Sequence, residues 1–208
     1  MRTNHILYLV TDSTIVDIPK ITHTIQQAIE GGVTIVQLRY KNISTNLFYM
    51  IALSVKEITK NYNIPLIIND RIDIALAINA DGLHIGQSDM PFSVARRLLG
   101  KNKIIGLSVE TIEQAKTANS LGVDYIGISP VFYTQTKLDI AKPLGIEGVK
   151  KIASFSKHPI IGIGGINESN AKVLIDAGAD GIAVVSAIFN SSKPKEAAIS
   201  LIKTITKL

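Results

Sequence analysis

The run Gln37-Leu38-Arg39-Tyr40-Lys41 sets an amide and two cations at every second position. On a strand, alternation turns Gln37, Arg39 and Lys41 to one face. Enclosed cations are costly without a counter-charge, which a bound polyanion or a neighbouring carboxylate would supply. The acids come later in the sequence, in Asn69-Asp70-Arg71 and in His84-Ile85-Gly86-Gln87-Ser88-Asp89. If these runs end adjacent strands, about 4.8 Å apart, Asp70 and Asp89 can approach one ion. Magnesium is commonly held by one or two carboxylates together with substrate phosphates and water, so the acids beside Arg39 and Lys41 suggest a metal-diphosphate clamp. Acid/base chemistry is an alternative use of paired carboxylates. Asp70 alone would also serve as a helix N-cap. His84 at a strand end is satisfied by any hydrogen-bonding neighbour, and with no Cys in the chain a zinc site is disfavoured.

Later segments add hydroxyls and glycines. Ser108 ends a predicted strand, where serine often caps the next helix. Residues 131–145 form the longest connection, with Thr134, Gln135, Thr136 and Lys137 at its centre. A long polar loop in that place serves as a binding loop or cover, or is simply solvated. The Gly164-Gly165 pair and the Val185-Ser186 step follow two further strands. Glycines there allow a phosphate to approach backbone N–H groups at a helix start.

These residues need a scaffold that brings eight strand ends together. Near-continuous Ile, Val and Leu runs predict strands buried on both faces, at 6–11, 34–39, 65–69, 82–85, 104–108, 125–130, 159–164 and 181–186. Amphipathic stretches predict helices at 18–30, 45–61, 73–78, 92–99, 112–121, 146–155, 168–177 and 194–207. Eight β/α units in 208 residues predict a single (β/α)8 TIM barrel over residues 1–208, with its chemistry on the rim at the C-terminal strand ends. An open doubly wound sheet is the alternative. Val10-Thr11-Asp12-Ser13 carries no Gly-rich first turn of the kind that fold often uses. A weak repeat supports closure: Gly31-Gly32-Val33, Ala80-Asp81-Gly82, Gly122-Val123-Asp124 and Gly178-Ala179-Asp180-Gly181 each lead from a helix into a strand. Asp81, Asp124 and Asp180 therefore belong on the opposite, stabilising rim.

Bulk composition narrows the classes. The chain is 46% hydrophobic with a formal charge of +5, but its lysines are scattered, which disfavours a nucleic-acid partner. The absence of cysteine excludes disulfide scaffolds and thiol catalysis. No apolar run is long enough to span a bilayer and no signal peptide is evident, so a cytoplasmic location without a membrane partner is expected. The oligomeric state is open, a homo-oligomer included.

Taken together and in order, Gln37 to Lys41, Asn69-Asp70-Arg71, His84 to Asp89, Pro130-Val131-Phe132 with Thr134 to Lys137, and Gly162 to Ile166 resemble the bacterial thiamine-phosphate synthase family over essentially the whole chain. The resemblance implies a transferase that condenses 4-amino-2-methyl-5-hydroxymethylpyrimidine diphosphate with hydroxyethylthiazole phosphate, or its carboxylated form. Its products would be thiamine phosphate and pyrophosphate, with Mg²⁺ as cofactor. It implies that Gln37, Arg39, Lys41, Asn69, Ser108 and Lys137 hold the pyrimidine diphosphate, within a binding run that includes Leu38 and Tyr40. Arg39, Lys41, Ser108 and Lys137 would be the catalytic set, and Asp70 and Asp89 the magnesium ligands. Thr134, Thr136, Gly165, Val185 and Ser186 would meet the thiazole phosphate, and Gln135 is counted among the substrate-binding residues. The implied chemistry is dissociative, which needs preorganised positive charge and exclusion of water more than a strong base. Tyr40 stands where an acid is frequent in the family, Ser129 where Gly is common and Tyr133 where Pro is common. A thiazole tautomerase-like isomerase and a non-catalytic phosphometabolite-binding barrel are the competing readings.

Overall fold

The short aliphatic runs do form eight parallel strands in a computed structural model that describes residues 6–133 and 143–206. They are β1 (Ile6–Val10), β2 (Ile35–Leu38), β3 (Leu66–Asn69), β4 (Gly82–Ile85), β5 (Ile104–Val109), β6 (Tyr125–Ile128), β7 (Ile160–Ile163) and β8 (Gly181–Val184). Each pairs with its sequence neighbours, and β1 pairs with β8, so the sheet closes in the order β1 to β8. The TIM-barrel expectation holds and the open sheet does not, since a closed cylinder leaves no strand edge exposed.

The outer ring comprises α1 (Ile18–Glu30), α2 (Thr45–Asn61), α3 (Ile72–Ala77), α4 (Phe92–Leu99), α5 (Ile112–Ala118), α6 (Gly145–Ala153), α7 (Ala171–Asp176), α8 (Ser186–Phe189) and α9 (Pro194–Thr206). Helix starts follow capping chemistry. The Asp17 carboxylate accepts from the Lys20 amide at 2.7 Å and the Ser44 hydroxyl from the Leu47 amide at 3.2 Å. The short α8 begins at the last residue of the stretch expected as the final strand. Ser186 opens this helix rather than closing the strand.

Burial on both strand faces makes two cores. Leu7 and Leu9, Val36 and Leu38, Leu66 and Ile68, and Ile105 and Leu107 belong to the large layer between barrel and helices. Tyr8, Val10, Ile67, Tyr125, Ile161 and Ala183 fill the barrel itself. Two glycines make room inside it. A Cβ on Gly106 would run into the Tyr125 ring, and one on Gly127 would come within 3.2 Å of the His84 ring.

The lower rim is locked as the repeat suggests. The Asp81 carboxylate accepts from the Leu66 amide at 2.8 Å while its own amide donates to the Leu66 carbonyl at 2.9 Å. Asp124 does the same with Ile105 and Asp180 with Ile160, each carboxylate contact at 2.8 Å. Lys56 and Arg96 then pair with Asp81 and Asp124. Thr34 holds the equivalent place before β2, its amide donating to the Leu7 carbonyl at 2.9 Å and its hydroxyl to the same oxygen at 3.2 Å.

Candidate active site

The C-terminal ends of the strands enclose two adjoining cavities. The larger, about 470 Å³, is lined by Tyr8, Gln37, His84 and Tyr125 at its floor and by Gly164, Gly165, Val185 and Ser186 on one wall. The smaller, about 400 Å³, holds Lys41, Asp70, Gln87 and Asp89. Arg39, Asn69 and Ser108 line both and form the boundary between them.

The second strand delivers its residues by alternation. Gln37 is buried inside the barrel, and Arg39 follows on the same side. The Arg39 amide donates to the Thr11 hydroxyl at 2.9 Å, which ties the strand end to the first loop. Lys41 pairs with Asp70 at 3.3 Å, so the ion-pair alternative applies to it. Among the described residues, the Arg39 guanidinium has no carboxylate partner. Leu38 and Tyr40 face the other way. Leu38 is packed among the helices, and Tyr40 stacks edge-on against Phe48 while donating to the Ile15 carbonyl at 3.0 Å. Burial pushes the Tyr40 hydroxyl up to about 12. Their side chains therefore cannot meet a substrate, and only their backbone lies in the run expected to bind it.

Asp70 has a left-handed backbone, φ 61°, a region in which Asp and Asn are enriched among non-glycine residues. Its amide donates to the His84 carbonyl at 2.9 Å, which binds the end of β3 to β4. It makes no capping bond to α3, so its carboxylate is not spent on a helix start. Burial first, and then the Asp89 carboxylate facing it, raise the Asp70 pKa above its usual range, with Lys41 acting in the opposite sense. One Asp89 oxygen accepts from the Gly86 amide at 2.7 Å. Two carboxylates turned toward each other at a cost in charge suit a divalent cation. No cluster of three or more potential ligands exists among the described residues, so phosphate oxygens and water would complete the shell.

Ser108 lies within β5 and does not cap α5; Thr111 does, accepting from the Gln114 amide at 3.1 Å. The Ser108 hydroxyl instead meets His84 Nε2 at 2.8 Å. His84 Nδ1 meets the Tyr125 hydroxyl at 2.9 Å, Tyr125 meets the Tyr8 hydroxyl at 2.8 Å, and Gln37 Nε2 meets Tyr8 at 2.9 Å. Desolvation raises both tyrosine pKa values well above the ordinary phenol, so each hydroxyl keeps its proton. Sequence reasoning missed Tyr8 and Tyr125 and gave His84 little weight. The available signal was their register: Tyr8 alternates with Leu7 and Leu9, and small residues stand opposite the rings, at Gly106 and Gly127.

On the far wall Gly164 and Gly165 have φ values of 104° and 65°, and a Cβ on Gly165 would strike the Tyr133 carbonyl. Val185 and Ser186 follow at the start of α8, where the Ile188 and Phe189 amides donate to the Val185 carbonyl and the amides before them have no acceptor within the helix. Thr134, Gln135, Thr136 and Lys137 lie outside the described residues.

The closed barrel, with charge and glycines gathered on its C-terminal rim, defines a (β/α)8 enzyme scaffold equipped for anionic groups. Residues 7–188 match the model of the family described as Thiamine monophosphate synthase, and the chain belongs to that family. Thiamine-phosphate synthase from Clostridium acetobutylicum is 52% identical over 201 residues, covering 97% of this chain and 95% of that protein. The enzyme of the same name from Clostridium novyi is 50% identical over 191 residues, covering 92% and 94%. Among solved structures, thiamine phosphate pyrophosphorylase from Pyrococcus furiosus superposes with a TM-score of 0.87 at 37% identity, over 98% of this chain and 96% of that one.

Proposed function

We propose that this chain condenses 4-amino-2-methyl-5-hydroxymethylpyrimidine diphosphate with hydroxyethylthiazole phosphate, or its carboxylated form, to give thiamine phosphate and pyrophosphate, with carbon dioxide released as well when the carboxylated form is used. The observation that carries the reading is the pair of adjoining cavities divided by Arg39, Asn69 and Ser108. One has the charges a metal-diphosphate group requires, and the other has the glycines and helix start a monophosphate requires.

In this reading the bond between the pyrimidine methylene carbon and the diphosphate oxygen breaks, and both electrons leave with pyrophosphate. The thiazole nitrogen then gives its lone pair to the methylene carbon. Arg39 and Lys41 hold the leaving group and stabilise its growing charge. Asn69 and Ser108 orient the diphosphate at the boundary. Asp70 and Asp89 would hold Mg²⁺, which when bound supplies charge neutralisation to phosphate oxygens. Gly165, Val185 and Ser186 seat the thiazole phosphate on the wall of the large cavity. The resemblance assigns Lys137 to the diphosphate and Thr134 and Thr136 to the thiazole phosphate, with Gln135 also in the substrate-binding loop. No strong base is required, because the nucleophile is already a neutral nitrogen. The proposed setting is cytoplasmic; no helix among the described residues is long and apolar enough to cross a membrane.

The test incubates the purified protein with both phosphorylated halves and Mg²⁺. Thiamine phosphate and pyrophosphate in equal amounts are expected. Binding of either half without product overturns the reading in favour of a binding protein, and isomerisation of the thiazole carboxylate phosphate alone points to a tautomerase.

A further inference from the structure

The polar chain under the site, Gln37–Tyr8–Tyr125–His84–Ser108, has four links between 2.8 and 2.9 Å. Each link needs one hydrogen. Each tyrosine and the serine bring one, and a neutral imidazole brings one. Only two arrangements use every hydrogen without conflict. In the first, Gln37 donates to Tyr8, Tyr8 to Tyr125, Tyr125 to His84 Nδ1, and His84 Nε2 to Ser108, so the Ser108 O–H is left to donate into the site. In the second every link reverses. Ser108 then spends its hydrogen on His84, Tyr8 donates to the Gln37 Oε1, and the Gln37 NH₂ turns to the cavity. A mixed arrangement leaves a buried hydroxyl hydrogen without an acceptor, or a link with two hydrogens or with none. The chain is enclosed enough for that fault to be expensive, since Tyr8 is 1% exposed, Tyr125 and Gln37 5% and His84 9%.

We infer that this chain is a specificity device that couples an anion at Ser108 to an amino group at Gln37, so that the large cavity accepts an aminopyrimidine and rejects its oxo counterpart only when the ligand also carries the diphosphate. This rests on the function proposed above. Ser108 borders the cavity that holds Lys41, Asp70 and Asp89, whereas Gln37 lines only the large one. A diphosphate oxygen beside Ser108 needs a donor, which selects the first arrangement. Gln37 must then present its Oε1, which accepts from an exocyclic amine and opposes a ring carbonyl. Tyr8 and Tyr125 touch neither group in this scheme and act as positioning residues.

The test is equilibrium binding at a pH of about 8.5, where a histidine of ordinary pKa near 6.5 is neutral. The probes are the amino and 4-oxo pyrimidine diphosphates and the corresponding uncharged alcohols. With wild-type protein the amino diphosphate should bind on the order of 100-fold more tightly than the oxo diphosphate, while the two alcohols differ by less than about threefold. Tyr8→Phe and Tyr125→Phe each cut the chain. Each should lower the diphosphate preference to below about tenfold, and the double variant should add little, because a chain already cut transmits nothing. Thermal unfolding of each variant confirms that it is folded. A wild-type preference equally large for the alcohols overturns the coupling. So do folded single variants that weaken both diphosphates alike and leave their ratio unchanged. Binding is read without turnover, so a protein that shows the coupling and forms no thiamine phosphate refutes the proposed reaction and not this inference.

Discussion

Replacing Arg39 by alanine separates binding machinery from scaffold. Among the described residues the guanidinium has no carboxylate partner, so its removal orphans no protein charge. Its amide bond to Thr11 belongs to the backbone and survives the change. A half-buried cation without a counter-charge does not favour folding, so stability should stay within about 0.5 kcal/mol of wild type. The diphosphate, in contrast, loses a charge-assisted contact worth about 1.5–3 kcal/mol. At 1.36 kcal/mol per decade, that predicts a fall in kcat/KM of about 10- to 160-fold. Lys41 offers a comparison inside the same strand end. It is about half exposed and already shares Asp70, so Lys41→Ala should cost less, on the order of a few-fold. The assay is steady-state formation of thiamine phosphate, run beside urea unfolding of the same preparations. Turnover within threefold of wild type, or a stability loss above about 2 kcal/mol, would show that Arg39 is a structural residue and that the counter-charge argument is wrong.

Asp89→Ala should abolish most magnesium-dependent turnover; wild-type rates with unchanged metal titration would remove the acid pair from the proposed clamp. Asp70→Asn keeps a residue that tolerates φ 61° but cannot ionise. Since burial and Asp89 raise the Asp70 pKa in the folded chain, the native state binds the extra proton more tightly than the unfolded state. Wild-type stability from this group is therefore full below the ordinary carboxylate range and declines as pH rises through the raised pKa. In metal-free buffer the Asn variant should be the more stable protein at neutral pH, with the difference closing as pH falls below about 4, as read by thermal unfolding across pH. Asp124→Ala should destabilise by about 1–3 kcal/mol in urea because the Ile105 amide loses its side-chain acceptor, yet leave kcat/KM nearly unchanged from the far rim.

Much of this was legible from residue order. The rhythm of aliphatic runs and amphipathic stretches gave eight units, and Asp before a strand start marked the lower rim. Gln37, Arg39, Asn69, Asp70, Ser108 and Asp89 were all read as rim residues, and they do line the two cavities. What periodicity could not supply was the distinction between the two buried faces of a barrel strand. An apolar run looks the same whether its odd or its even positions point to the axis. Nothing in the apolar runs therefore sets Tyr8 and Tyr125 apart, or shows that the Ser108 hydroxyl turns to His84. Leu38 and Tyr40 were swept into the binding run by adjacency, although alternation sends them outward. The start of α8 was hidden because Val185 extends an aliphatic run past Val184, where the strand ends.

The clamps before β2, β4, β6 and β8 have a consequence for the architecture as a whole. They recur at every second strand, by Thr34, Asp81, Asp124 and Asp180. The lower end of the molecule thus has an approximate fourfold rotational symmetry, with a two-strand module as its repeating part. The upper end has none: one quadrant carries the acids and the histidine, another the serine, another the glycine pair. Register is fixed at the same place in each module from below, by a carboxylate in three and by Thr34 in the fourth, so substitutions above need not renegotiate how the strands pair. A scaffold of this kind can exchange its chemistry quadrant by quadrant while its assembly rule stays constant.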